Sequence, residues 1–352
     1  MKPSLLRRIA VLPVLLILTL SLTCCSRSGA EFRDYNYFAM DTVVTLRLAQ
    51  GELSPDALAK TADSCAALLG NLETELSSHD PASPVYRLNH GESAELPASA
   101  ASVLETALSV SELSDSAYDC TLGPLIELWN VTGGGPVPSP EAVADAMTHT
   151  GADKFRFDGT FAEPLEPGVS LDLGGVGKGY AAEAIADLLR KSEVPYGLVS
   201  LGGNIGIFGT REDGSPFKIG VRDPAKPENP SAVIGYLYLT DGFVSVSGDY
   251  ERYFEKDGRR YHHILDPKTG YPADSGLHSA AVWSSDGALA DALSTALFVL
   301  GEDDALALYR ELRNDAEVSF EAVLVADDGK VLVTDGLRDR FTLTNDHYTL
   351  AE

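Results

Sequence analysis

Basic residues are scarce in this chain. Against 52 Asp and Glu stand 27 Lys and Arg, and the formal net charge is −25. A field of that sign repels a polyanion, which argues against nucleic acid as a partner. Any phosphate bound here needs a metal ion or backbone amides to offset the charge. Cysteine is rarer still, with four residues at 24, 25, 65 and 120. No Cys-x-x-Cys or Cys/His metal pattern occurs, so cysteine-based metal sites are excluded. Cys65 and Cys120 could pair outside the cytoplasm or stay as two buried thiols, and both readings stand at this point. Only one hydrophobic run is long, Ile9 to Thr23, and its 15 residues are short for a membrane span. No internal repeat, low-complexity block or linker breaks the remainder. With 44% apolar residues it reads as one ordinary globular domain.

The N-terminus carries a targeting pattern. Lys2, Arg7 and Arg8 precede the apolar run, which ends in Leu22-Thr23-Cys24-Cys25-Ser26. That ending resembles a bacterial lipobox, with Leu22 and Thr23 placed ahead of Cys25 as the lipidation site. The expectation is a signal peptide over 1–24, a lipidated tether over 25–33 and a folded domain over 34–352, held by its lipid at the extracytoplasmic face of the cell membrane.

Periodicity then sets out the elements. Thr42 to Leu48 alternates as a strand, and Ser54-Pro55 opens a helix that runs to about Leu76. Further helices are expected over Ser99–Leu113 and after Pro138-Ser139-Pro140. Val169 to Leu173 reads as a strand, followed by a glycine loop and a helix from Tyr180 to about Lys191. Strands are expected at 197–200, 217–221, 232–239, 243–247, 260–265 and 277–283. A helix around 290–297, a second helix over 302–312 and strands at 317–325 and 330–334 complete the chain. Sequential strands with helices grouped elsewhere predict an α+β fold rather than a doubly wound sheet.

Chemistry-bearing residues concentrate in four segments. In Ala290-Asp291-Ala292-Leu293-Ser294-Thr295 the spacing i, i+3, i+4 puts a carboxylate and two hydroxyls on one face of an apolar helix. Hard oxygens in that arrangement are Mg²⁺ ligand chemistry. Asp172-Leu173-Gly174-Gly175-Val176-Gly177-Lys178-Gly179 joins a strand pattern to a helix, where glycines let backbone amides approach a phosphate. It matches neither a P-loop nor a Rossmann fingerprint. Tyr118 and Asp119 could stack on a ring and accept from its polar edge, while Trp129 reads as core. Finally, His262 and His263 adjoin on a predicted strand and so face opposite ways. One of them should look toward the site as a neutral imidazole able to take a proton.

Six motifs stand in order: Met40-Asp41-Thr42, the Ala117-Tyr118-Asp119 block through Trp129, Asp172 to Ala181, Ser247-Gly248-Asp249-Tyr250, His263 to Gly270, and Ala290-Asp291-Ala292 with Thr295. Together, over about Tyr37 to Leu300, they resemble the ApbE family of FAD:protein FMN transferases. The resemblance implies a single ApbE-like, T-fold-related α+β domain with a mostly antiparallel sheet. It implies an Mg²⁺-dependent enzyme that cleaves FAD, attaches FMN to a Ser or Thr of an extracytoplasmic acceptor protein carrying an FMN-binding domain, and releases AMP. Carried over by position, Met40, His79, Ala117, Tyr118, Asp119, Asp172, Lys178 and Leu265 would bind FAD. The Gly175 carbonyl, Asp291, Ser294 and Thr295 would hold Mg²⁺, and His263 would take the acceptor's proton. Two positions depart from the family: Ser294 where a second carboxylate is common, and His79 where Tyr is usual. Alternative outcomes of the same pieces are an FAD pyrophosphatase giving FMN and AMP, and a non-catalytic flavin-binding lipoprotein.

Overall fold

The computed structural model describes residues 31–315 and 318–351. The expected signal peptide and Cys25 lie outside the described residues. Along the chain the elements are β1 (Phe32–Ala39), β2 (Thr42–Ala49), α1 (Pro55–Leu76), α2 (Pro84–Asn89), β3 (Ala94–Glu95), α3 (Ala98–Leu113), α4 (Gly123–Trp129), α5 (Pro140–Met147), β4 (Phe155–Phe157), β5 (Phe161–Pro164) and α6 (Gly177–Lys191). Then come β6 (Gly197–Leu201), β7 (Asn204–Phe208), β8 (Phe217–Arg222), β9 (Val233–Leu239), β10 (Gly242–Gly248), β11 (Tyr253–Lys256), β12 (Arg259–His262), β13 (Leu277–Ser284), α7 (Gly287–Leu312), β14 (Phe320–Ala326), β15 (Lys330–Val333), β16 (Phe341–Leu343) and β17 (Thr349–Leu350).

Nine strands form the main sheet in the order β1-β2-β6-β7-β10-β13-β14-β15-β17, antiparallel except at β15–β17. Alternation along each strand supplies two apolar faces. On one face, Leu46, Val199, Phe243 and Val282 pack with Leu58, Leu69, Val103, Ile185 and Leu293 of the helices. On the other, Ile207, Val244, Ala281 and Val323 meet Ile219, Leu237 and Leu239 of the small sheet β16-β9-β8. A third cluster joins α4 and α5 to Leu265. Its centre is Trp129, fully buried as expected, whose indole N–H donates to Gly270 O at 2.8 Å. The α+β expectation thus holds, with a mostly antiparallel sheet and helices grouped on one face. Among the described residues no helix is long and apolar enough to cross a membrane.

Several local expectations change. Phe32 and Arg33, read as tether, pair with Ala49 and Leu48 in β1. Val169–Leu173 is extended and buries alternate residues, yet it is not a strand. Ser170 alone bridges to Leu122, while the Asn89 side chain takes both backbone groups of Leu171, at 2.7 and 2.9 Å. A side-chain amide does here what a neighbouring strand would do. The predicted strand 260–265 stops at His262, because Asp266-Pro267-Lys268-Thr269-Gly270 turns the chain. Asp266 Oδ1 accepts from Lys268 N, and Gly270 sits at φ +74°. The two C-terminal helices abut in one run, α7, broken at Gly301 (φ +78°), where an added Cβ would lie 2.7 Å from Ser275 O. Cys65 and Cys120 are buried free thiols and not a disulfide. Burial pushes the Cys65 thiol up to about 12 and Cys120 higher still.

Helices α6 and α7 approach each other closely. A Cβ added at Gly179 would lie 2.0 Å from Gly287 O and 2.7 Å from Asp291 Cβ, and one added at Gly287 would lie 2.4 Å from Gly179 O. Only glycine fits on either side. Each helix also satisfies an early amide of the other: Gly179 N donates to Asp291 Oδ2 at 2.9 Å, and Gly287 N donates to Glu183 Oε2 at 2.8 Å. Burial raises the Glu183 carboxyl above its usual range, partly opposed by that amide. Gly179→Ala should destabilise the fold by about 1–3 kcal/mol through forced helix separation, despite the roughly 1 kcal/mol that Ala gains over Gly in a helix. A thermal melt indistinguishable from the parent would show that the two helices can part at no cost.

Candidate active site

The crossing of α6 and α7 delivers Asp291 to the glycine loop. Asp291 is 6% exposed. Its Oδ2 is committed to Gly179, and Oδ1 accepts no hydrogen bond among the described residues. One helical turn on, Thr295 faces the same loop: a Cβ at Gly175 would lie 3.6 Å from Thr295 Oγ1 and 3.0 Å from Tyr118 Cε2. Gly175 therefore closes against Tyr118 and Thr295, while Asp291 reaches the same loop through Gly179 and bears on the Tyr118 hydroxyl. The Tyr118 hydroxyl is buried and has no hydrogen-bond partner among the described residues. Burial, then Cys120, Asp172 and Asp291, hold it protonated far above its ordinary range. Among the described residues no group of three or more His, Cys, Asp or Glu side chains could hold a metal. The oxygens brought to this loop are of another kind, a carboxylate with hydroxyls, and they suit a hard cation that keeps water or substrate oxygens in its shell. A free Asp291 Oδ1, a glycine whose added Cβ would press on Tyr118, and a buried hydroxyl without a partner among the described residues fit such an ion.

Ser294 is fully buried, and its Oγ donates to Asp291 O at 2.8 Å. Sequence reasoning singled it out as a ligand but gave no role to Ser247 of β10, whose Oγ lies 2.8 Å from Ser294 Oγ and 3.1 Å from Thr295 Oγ1. Ser247 falls inside the quoted Ser-Gly-Asp-Tyr block. The pairing of β10 with β13 and the seating of α7 across both place it, and the motif alone does not show this. Glu183 was missed as well. Its signal was available: Gly179 and Glu183 repeat the four-residue spacing of Gly287 and Asp291.

The glycine loop is held by its own ends. Asp172 Oδ1 accepts from Gly174 N at 2.9 Å, Lys178 Nζ donates to Gly174 O at 2.5 Å, and Asp172 N donates to Cys120 O at 2.8 Å. That last bond ties the loop to the Ala117-Tyr118-Asp119 segment. Asp119 Oδ1 accepts from both Thr121 N and Thr121 Oγ1, at 2.7 and 2.6 Å, so half of this carboxylate is structural. Burial raises its pKa against those bonds. Tyr118 is 4% exposed, which corrects the stacking expectation: the ring packs beneath Gly175 and offers no open face to a flavin. Met40, at φ +51° in the β1–β2 turn, hangs over the start of α6, its Cε 3.7 Å from a Cβ at Gly177, and its amide donates to Glu73 Oε1 at 3.0 Å. Ala117 and Leu265 are buried. His79 is exposed between α1 and α2, and among the described residues no hydrogen bond ties its ring to the other site residues.

The two histidines separate as their alternation required, although β12 ends between them. His262 packs edge-on against Phe298 and donates from Nε2 to Ala273 O at 2.9 Å. It is a core residue. His263 stands just past the strand, with Nδ1 3.3 Å from Arg252 O. A carbonyl can only accept, so this contact places the proton on Nδ1 and leaves Nε2 as the basic nitrogen. Burial first, then Arg252, His262 and Lys178, push the His263 pKa down to about 3. The ring is thus neutral at physiological pH, and Lys178 is among the charges that reach it.

The sequence of residues 40–320 matches the ApbE family model. The chain belongs to the ApbE family. It is 34% identical over 253 residues to a FAD:protein FMN transferase of Klebsiella pneumoniae, covering 71% of this chain and 76% of that one. It is 31% identical over 302 residues to a FAD:protein FMN transferase of Haemophilus influenzae, covering 82% and 85%. The fold resembles the crystal structure of the ApbE protein of Thermotoga maritima, with a TM-score of 0.79 at 33% identity, covering 88% of this chain and 99% of that one. In this ApbE-family chain Met40, Tyr118 and Thr295, spread over some 250 residues of sequence, thus meet at one loop.

The depressed His263 has a consequence for stability. Its pKa is near 3 in the fold and about 6.5 in the unfolded chain. Below pH 6.5 the unfolded chain binds a proton that the folded chain refuses, so stability is complete above 6.5 and falls as pH drops toward 3. His263→Gln should lose less stability than the parent between pH 7.5 and pH 5 in urea titrations. Parallel losses in the two proteins would mean that His263 is not held neutral by the fold.

Proposed function

We propose that this protein is an Mg²⁺-dependent FAD:protein FMN transferase, held by a lipid on Cys25 at the extracytoplasmic side of the membrane. The observation that carries the reading is the meeting of a free Asp291 Oδ1, Thr295 and the Gly175 cradle beside Lys178 and a neutral His263, in a chain of the ApbE family. FAD is the substrate. Asp291, Thr295 and the Gly175 carbonyl would hold the cation, with Ser294 behind them. Mg²⁺ bound there would neutralise charge on the pyrophosphate oxygens during in-line displacement.

The protein's own residues do the rest. Asp172 and Lys178 brace the loop so that its amides and the Lys178 ammonium face the phosphates. The hydroxyl oxygen of an acceptor Ser or Thr attacks the FMN phosphorus, the bond from that phosphorus to the bridging oxygen breaks, and AMP leaves with the bridging oxygen. His263 Nε2 takes the proton of the attacking hydroxyl. Its basicity is low because burial and nearby cations oppose protonation. An anionic pyrophosphate set against Lys178 and Arg252 reverses part of that field and raises the imidazole toward the range of a working base. The localisation rests on the lipobox-like Leu22-Thr23-Cys24-Cys25. Labelling of growing cells with a radioactive fatty acid should mark the parent and not Cys25→Ala.

The deciding assay incubates the protein with FAD, Mg²⁺ and an FMN-binding domain, and reads AMP together with the acceptor's mass. The acceptor should gain one FMN, and EDTA should abolish the gain. Asp291→Ala should lower AMP release by about 10²-fold or more, and His263→Ala should lower transfer by about 10²-fold or more with FAD affinity nearly kept. AMP without any mass gain on several acceptors would replace the transferase by a pyrophosphatase. No AMP from the parent would leave only a flavin-binding protein.

A further inference from the structure

Three hydroxyls and one carbonyl form a chain at the back of the site, and counting protons along it fixes its direction. Ser294 Oγ is 2.8 Å from Asp291 O, and that carbonyl can only accept, so the single Ser294 proton is spent there. The 2.8 Å contact between Ser247 Oγ and Ser294 Oγ must then be a donation from Ser247. With the Ser247 proton spent in turn, the 3.1 Å contact to Thr295 Oγ1 is a donation from Thr295. The direction runs from Thr295 to Ser247 to Ser294 to the Asp291 carbonyl. Its end result is that Thr295 Oγ1 turns its proton toward the sheet and its lone pairs toward Gly175.

We infer that Ser247 is a positioning residue for the cation: anchored on β10, it draws off the Thr295 proton and so presents that hydroxyl to the metal as an acceptor. This rests on the cation reading above. The need is local. Asp291 is the one carboxylate of α7 before the break at Gly301, and Ser294 occupies the position where a second carboxylate would add attraction. A site with one charged ligand depends more on how its neutral oxygens are oriented. A hydroxyl free to rotate would point its hydrogen at the cation for part of the time. The sheet supplies the restraint, because Ser247 is held in register opposite Ala280 on β13 while Ser294 and Thr295 arrive from α7. Outer partners of this kind typically tune metal affinity by 10- to 100-fold.

The test is titration of the flavin-free protein with Mn²⁺, reading the free ion by EPR, beside FAD binding without metal by flavin fluorescence. Ser247→Ala should raise the Mn²⁺ dissociation constant by about 10-fold or more while FAD affinity and the melting temperature stay near the parent's. Ser247→Cys, which keeps the volume but hydrogen-bonds weakly, should shift Mn²⁺ binding in the same direction, and it answers the question if the alanine variant folds poorly. Parent-like Mn²⁺ binding in both variants overturns the inference, as does an equal loss of FAD and Mn²⁺ affinity, which would mark Ser247 as merely structural. Asp291→Ala separates this from the wider reading. If it binds Mn²⁺ as the parent does, the cation site itself is wrong; if it alone loses the ion, only the role of Ser247 falls.

Discussion

The site depends on one contact, the crossing of α6 and α7 at Gly179 and Gly287. Two helices meet there so closely that neither can carry a side chain at the crossing. Helix N-termini present amides without intrahelical partners, and burying them unpaired is costly. Here the two helices resolve that problem for each other. Asp291 on α7 accepts from α6, and Glu183 on α6 accepts from α7, each four residues after its helix's crossing glycine. The exchange leaves Asp291 with one oxygen spent on architecture and one available for chemistry. A residue that looks purely catalytic in sequence is half structural, and the precision of its free oxygen comes from the half that is bound.

Electrostatics then decide what the site can hold. The chain is strongly acidic overall, yet charge near the loop is balanced differently. Two carboxylates, Asp172 and Asp291, bear on the buried Tyr118 at the loop. Lys178 and Arg252 bear on His263, which burial keeps uncharged. On the proposed reading, a polyanion at this loop would need a cation between it and the carboxylates, and the proposed base, His263, is uncharged beforehand. The Tyr118 hydroxyl belongs to the same scheme: a buried donor without a partner among the described residues is uncommon in a folded protein, and it lies against Gly175 of the loop.

Much of this was legible before folding was considered. The helix spacing of Asp291, Ser294 and Thr295 put the oxygens on one face, and α7 has them there. Alternation separated His262 from His263, and the ring environments differ as that required. Trp129 was read as core and is core. Other expectations failed for reasons a linear reading cannot contain. The segment before the glycine loop has the alternation of a strand, but Asn89, distant in sequence, takes the hydrogen bonds that would define one. Tyr118 has the composition of a stacking residue, but the loop packs down on its ring. Phe32 and Arg33 look like tether because their pairing partners lie beyond a turn whose two residues, Met40 and Asp41, take up positive φ.

The sequence by itself determined which side chains are chemically able to act and, through helical and strand periodicity, which of them share a face. Those are local properties, set by covalent geometry and by the spacing of apolar residues. Only the tertiary structure decided which atoms of those side chains remain free. Hydrogen-bond capacity is finite, and each donor or acceptor is allotted among partners brought together from distant parts of the chain. That allotment ties Asp291 Oδ2 to α6 and leaves Oδ1 open, puts the His263 proton on Nδ1, and joins Ser247 to Ser294 and Thr295. No residue pattern shows it, because it depends on a crossing distance between two helices and on the register of two strands.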